Sequence, residues 1–211
     1  MSIKKEYYKN LANTVLKGFK KRFIEGYYCE TAADAKELAL SLVPNGASAS
    51  FGGSVTLGET GILEALRNRE DITLYDRDTA NGSEEAKKIM HDALSCDYYF
   101  MSSNAITADG ELVNIDGNGN RVAALIYGPE HVIIIAGMNK IVKNVEEGIS
   151  RTRNIASPQN CIRLNKNNPC AINGVCGNCL SNTICDQIVI TRASRIPNRI
   201  KVILVGEDLG F

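Results

Sequence analysis

The 211-residue chain carries 24 basic and 24 acidic side chains, so its formal charge is zero. That balance excludes a broad electrostatic surface for nucleic acid or an anionic membrane, which requires a basic excess. The absence of tryptophan and an aromatic content of 6% also disfavour stacking platforms for single strands. A chain of this length buries roughly 70% of its unfolded surface and needs no disulfides for a core, so residues 1–211 are expected to form one domain.

The first residues, MSIKKEYYKNLANTVLKGFKKRF, are amphipathic and charged and lack an apolar signal-peptide core, which predicts a cytoplasmic protein. Leu11, Val15, Leu16 and Phe19 fall at helical spacing and predict a helix over 3–25 within a helical segment of about 1–43. A second helix is predicted over 31–42, with Thr31 as N-cap and Asp34 completing a capping box. A strand over 47–51 leads into the turn Gly52-Gly53 and a helix over 59–67. Strands over 71–77 and 97–104 flank a helix over 83–95. A short strand over 111–116 precedes a helix over 119–128 and the apolar strand HVIIIAG at 131–137. A helix over 139–154 and strands over 187–193 and 201–207 complete the pattern. Strands alternating with helices, several of them almost wholly apolar, predict a three-layer α/β fold on a mostly parallel sheet.

A cysteine-rich insertion over about 161–186 interrupts that alternation. Cys170, Cys176, Cys179 and Cys185 follow a C-x5-C-x2-C-x5-C spacing. Thiolates are soft ligands for zinc and for iron–sulfur clusters, including the 4Fe-4S type, and glycines between them permit the tight turns that convergence requires. The spacing matches neither a two-knuckle zinc ribbon nor the bacterial ferredoxin run, so cluster, zinc and free thiols are all open at this point. Cys161 is a spare donor able to replace one of the four, while Cys29 and Cys96 read as small buried hydrophobes.

Two further segments carry candidate chemistry. In SFGGSVTLGETG, Gly52, Gly53, Ser54 and Thr56 follow a strand and precede a helix, a setting in which backbone N–H groups cradle phosphate or carboxylate. It is neither a phosphate-binding lysine loop nor a dinucleotide fingerprint. In SSNAITADGELVNIDGNGNRVA, Asn104, Thr107, Asp109, Asp116, Asn118, Asn120 and Arg121 cluster around three glycines after a strand, where α/β sheets bind ligands. Asp109 or Asp116 is a candidate base or orienting carboxylate, and Arg121 a candidate partner for an acidic substrate group. Glu59 and Glu207, near element ends, are further candidate bases. His91 reads as a surface residue and His131 as structural.

These segments together resemble the lactate-utilisation (LUD) domain family, short single-domain branch. The likeness rests on SFGGSVTLGETGILEAL, the block from SSNAITADG to AGMNKIV, NPCAINGVCGNC and KVILVGEDLGF, and spans nearly the whole chain. The resemblance implies a fold similar to ribose-5-phosphate isomerase, glucosamine-6-phosphate deaminase and the CoA-transferases. It also implies an accessory role in the oxidation of lactate or a related 2-hydroxy acid. A small anionic substrate would sit at Gly52, Gly53, Ser54, Asn104, Thr107, Asn120 and Arg121, with redox partner proteins alongside. The chain departs from larger relatives in having no tandem ferredoxin cysteine runs. The alternative is an isomerase- or transferase-like enzyme for a phosphorylated or CoA-linked molecule, with structural zinc.

Overall fold

The computed structural model describes residues 2–211. Its strands are β1 (Glu25–Cys29), β2 (Ser48–Phe51), β3 (Thr73–Tyr75), β4 (Tyr98–Met101), β5 (Ala105–Thr107), β6 (Leu112–Asp116), β7 (His131–Gly137), β8 (Ile141–Val142), β9 (Gln187–Thr191) and β10 (Ile200–Val205). Its helices are α1 (Ile3–Lys21), α2 (Ala32–Ser41), α3 (Val55–Glu59), α4 (Ile62–Arg67), α5 (Ser83–Asp92), α6 (Asn120–Ile126), α7 (Val145–Arg151), α8 (Ser157–Arg163) and α9 (Pro169–Asn173).

Six strands form a parallel sheet in the order β1-β10-β7-β4-β2-β3. The alternation of apolar side chains explains its two covered faces. Val132, Ile134, Val202 and Leu204 point to one side, where they meet α1 and α6. Ile133, Ile135, Ile203 and Val205 point to the other, against α2, α3 and α4. Each such fully buried aliphatic side chain contributes about 1.5–3 kcal/mol. The three-layer α/β expectation therefore holds, and α2 begins with the expected Thr31–Asp34 capping box. Among the described residues no helix is long and apolar enough to cross a membrane.

Four departures from the sequence expectation have physical causes. The first helix stops at Lys21, because Phe23 takes a left-handed φ of 57° and Glu25–Cys29 pairs in parallel with β10 as an edge strand. The helix expected over 59–67 begins earlier, at Val55, and is interrupted before α4 at Gly61, whose φ is 69°. The helix expected over 139–154 is a tight turn, the short strand β8 and only then α7, which starts at the Asn144 cap. Finally, Gln187–Thr191 does not join the parallel sheet. It pairs antiparallel with β6 in a second sheet, β8-β5-β6-β9.

This small sheet is pressed against α1 by a backbone contact. A Cβ at Gly18 would overlap the Asp109 carbonyl, and one at Gly110 (φ 89°) would lie 2.8 Å from Gly18. Gly18→Ala should therefore destabilise the fold by about 1–3 kcal/mol through overpacking, although alanine favours an isolated helix by about 1 kcal/mol. Urea unfolding of the two proteins measures this. Equal or greater stability of the variant would show that the helix and hairpin do not touch as described.

Candidate functional site

All six parallel strands end on one edge, so the segments following β2, β4, β7 and β10 converge there. They open onto a cavity of about 410 Å³, lined by Gly53–Thr56, Ser102–Asn104, Asp116, Arg121, Lys140 and Phe211. The opposite wall comes from Ser157, Asn160, Arg163, Lys166, Thr183 and Asp186, which flank the cysteine segment.

Arg121, in the first turn of α6, organises the floor. Its Nη1 donates to the Ser102 carbonyl at 3.2 Å and to Asn114 Oδ1 at 2.5 Å. Its Nη2 donates to Asn104 Oδ1 at 3.0 Å and to the Ile115 carbonyl at 2.8 Å. Nε lies 3.2 Å from Asp116 Oδ2. Burial lowers the pKa of the guanidinium and the charge of Asp116 opposes that shift. Every nitrogen of the head is thus engaged by protein oxygens. The residue expected to pair with a substrate acid instead clamps the loop after β4 to β6. Gly52 makes room for it, since a Cβ there would sit 3.2 Å from the Arg121 side chain and from the Tyr99 hydroxyl.

The other predicted residues divide clearly. Gly53 and Ser54 line the cavity, with the Arg77 guanidinium closing on Gly53 so tightly that a Cβ would overlap it. Ser54 Oγ caps α3 by accepting from the Leu57 N–H. Thr56, Asn104 and Asn120 also line it, and Asn104 Oδ1 additionally accepts from the Ile115 N–H at 3.0 Å. Thr107 does not: its hydroxyl accepts from the Glu111 N–H at 2.9 Å and closes the β5–β6 turn. Asp109 sits at the tip of that turn, away from the cavity, because its carboxylate is drawn into an ion pair with Arg22. Glu59 is exposed and accepts from the Gly210 N–H at 2.6 Å. Glu207 contributes a carbonyl that accepts from the Met138 N–H at 3.1 Å. Neither glutamate lines the cavity.

Sequence reasoning missed Lys140. It is 4% exposed, and its Nζ is 2.8 Å from Thr56 Oγ1 and 3.0 Å from Ser102 Oγ. Burial first, then repulsion from Arg151 and Arg121, lower its pKa to about 7, against an opposing pull from Glu59. The available signal was its place just beyond the end of the apolar strand β7, which the expected helix over 139–154 concealed.

The helical run from α7 to α8 widens into a π turn over Thr152–Ala156. Pro158 explains it, because proline donates no N–H and crowds the preceding turn. The run then presents Ser157, Asn160 and Arg163 to the cavity. Cys161 and Cys170 are buried with their sulfurs 3.7 Å apart, close to the spacing of two thiolates sharing one tetrahedral ion with bonds of about 2.3 Å. Asn168 bridges onward, accepting from Cys161 at 3.7 Å and donating to Cys179 at 3.5 Å. Cys185 lies 3.2 Å from Ser157 Oγ. Cys176 faces Asn178 and Arg153; burial raises its pKa, but those two partners outweigh that and hold it below the usual thiol range. Burial and then Cys170 push Cys161 up to about 12. The donor chemistry suits a soft metal: Cys161 lies within the field of Cys170, Cys179 and Cys185, and Cys176 within that of Cys185. Yet among the described residues no three His, Cys, Asp or Glu side chains are gathered at metal-binding spacing.

A family model described as LUD domain matches residues 12–205. In structure the chain is similar to a DUF162 family protein from Deinococcus radiodurans. The two are 12% identical with a TM-score of 0.54, over 97% of this chain and 99% of that one, a likeness of fold. Weaker likeness extends to eIF2B delta from Chaetomium thermophilum (TM-score 0.37, 19% identity, 56% of this chain and 50% of that one). The eIF2B-beta2-delta2 complex of the same organism gives a TM-score of 0.40 at 16% identity, over 82% of this chain and 55% of that one. No curated protein matches the sequence.

Arg121→Lys tests the clamp. An ammonium cannot serve five acceptors in a planar fork, and the buried acceptors left without donors should cost about 2–4 kcal/mol. Chemical denaturation should show that loss; a change below about 0.5 kcal/mol, the range of an ordinary surface substitution, would refute the clamp.

Proposed function

The chain belongs to the lactate-utilisation (LUD) domain family, and from that premise we propose that its cavity binds lactate or a related 2-hydroxy acid as part of an oxidation system. The observation that carries this reading is the charge of the cavity. Arg121 and Asp116 neutralise each other, and Arg77 is only loosely paired, 3.8 Å from Asp78. Arg163 and Lys166 make no ion pair among the described residues. Asp186 is the one other acid in the lining. A small carboxylate matches that imbalance, held by Arg77 and the N–H groups of the Gly53-Ser54 turn or by the rim residues Arg163 and Lys166.

The cysteine segment gives the reading its second part. Cys170, Cys176, Cys179 and Cys185, with Cys161 able to replace one of them, are the residues that would hold an iron–sulfur cluster or zinc, and a cluster there would supply one-electron transfer. The same segment forms the cavity wall, so a bound group would stand beside the substrate. Ile172, Val175 and Leu180 are 75%, 58% and 88% exposed around Cys176. They offer an apolar patch on which a redox partner protein would dock. In this reading the chain is an accessory subunit: it orients the acid and excludes water, and the partner completes the oxidation.

Anaerobically purified protein tests both parts. Iron with visible thiolate-to-iron absorbance is expected, together with thermal stabilisation by lactate, since a ligand at 100 Kd adds about 2.7 kcal/mol. Zinc in place of iron, with stabilisation by sugar phosphates or acyl-CoA but not by lactate, would instead establish the isomerase- or transferase-like alternative.

A further inference from the structure

Lys140 is a buried amine whose surroundings are the reverse of those that stabilise a structural lysine. Buried lysines are ordinarily paired with a carboxylate. Here Nζ contacts two hydroxyls, Thr56 Oγ1 at 2.8 Å and Ser102 Oγ at 3.0 Å, and makes no ion pair among the described residues. Burial disfavours a proton on Nζ, and the charges of Arg151 and Arg121 repel it further, against a smaller pull from Glu59. A lysine that is desolvated and set beside other cations keeps its lone pair near neutral pH, the condition for attack on a carbonyl carbon. The amine also lies within reach of a ligand, because Lys140, Thr56 and Ser102 all line the cavity.

We propose that Lys140 is a nucleophile that forms an imine with the carbonyl of a 2-oxo acid bound in this cavity. The inference rests on the carboxylate-binding reading above and adds the second functional group of the ligand. A 2-hydroxy acid has no electrophilic carbonyl; its oxidation product does.

The step balances without an oxidant. The Nζ lone pair attacks the carbonyl carbon, a C–N bond forms, and the carbonyl π pair moves to oxygen, which takes a proton. The resulting carbinolamine loses its hydroxyl group with a second proton as water while the C=N bond forms. The two hydrogens of the amine and the carbonyl oxygen make up that water. The Thr56 and Ser102 hydroxyls each donate and accept, so they can carry those protons between nitrogen and oxygen. Once the imine is protonated, it draws electrons from the former carbonyl carbon and acidifies the hydrogens on the adjacent carbon.

The test uses the full chain with pyruvate and cyanoborohydride. Peptide mass spectrometry should find a carboxyethyl group on Lys140 in near-stoichiometric yield, saturable in pyruvate and suppressed by excess lactate. Lys140→Met should lose that adduct. A variant that fails to fold is bypassed by the wild-type protein with pyruvate labelled at the carbonyl carbon, whose NMR signal should move from ketone to imine. Thermal stabilisation by pyruvate with label spread over exposed lysines, and no imine signal, would overturn the inference while leaving carboxylate binding intact. Absence of both stabilisation and adduct would overturn both.

Discussion

One guanidinium holds the functional edge together. Arg121 gathers a carbonyl and a side chain from the loop after β4, a carbonyl and two side chains from β6, and fixes the second sheet to the end of the parallel one. A charge this buried is tolerated only because each of its donors is satisfied and Asp116 balances it. The same clamp sets the position of Ser102, whose hydroxyl contacts Lys140. The geometry of the cavity floor therefore follows from a polar network rather than from apolar packing. That is consistent with a site that must keep two loops at fixed separation whether or not a ligand is bound.

The cysteine segment takes its meaning from the helical run before it. A π turn at Thr152–Ala156 brings Ser157, Asn160 and Arg163 onto the cavity, and the residues around Cys161 and Cys185 become its wall. Cys161 and Cys170 are buried beside Asn168, and Cys176 lies near Arg153 and within the field of Cys185. The fold adds a thiol from outside the C-x5-C-x2-C-x5-C motif, because α8 carries Cys161 to within 3.7 Å of Cys170. Cavity and cysteines are consequently one structural unit.

Much of the fold was legible in the sequence because its strands are buried on both faces. Val132–Ala136 and Val202–Val205 are uninterrupted apolar runs, and the Thr31–Asp34 cap marks a helix start that the structure retains. Strand β1 was not legible, since Tyr27 and Tyr28 are half-buried on an edge and carry no clear alternation. The helix misread over 139–154 arose because Ile141, Val142, Val145 and Ile149 imitate helical spacing across a short strand, a cap and a helix. The candidate site was legible as a cluster of residue types. Which members turn inward was not: Asp109 is claimed by Arg22, Arg121 by its own loop, and Lys140 is left facing the cavity through contacts far apart in the chain.

The central claim is that the Arg121-clamped floor and the cysteine-segment wall enclose one ligand. Hydrogen–deuterium exchange of the anaerobically purified protein, with and without saturating lactate, addresses it directly. The account predicts slowed exchange in residues 53–56 and 102–104 on one side and in 157–166 on the other. Protection confined to one side, or to the Asp109 turn outside the cavity, would contradict it.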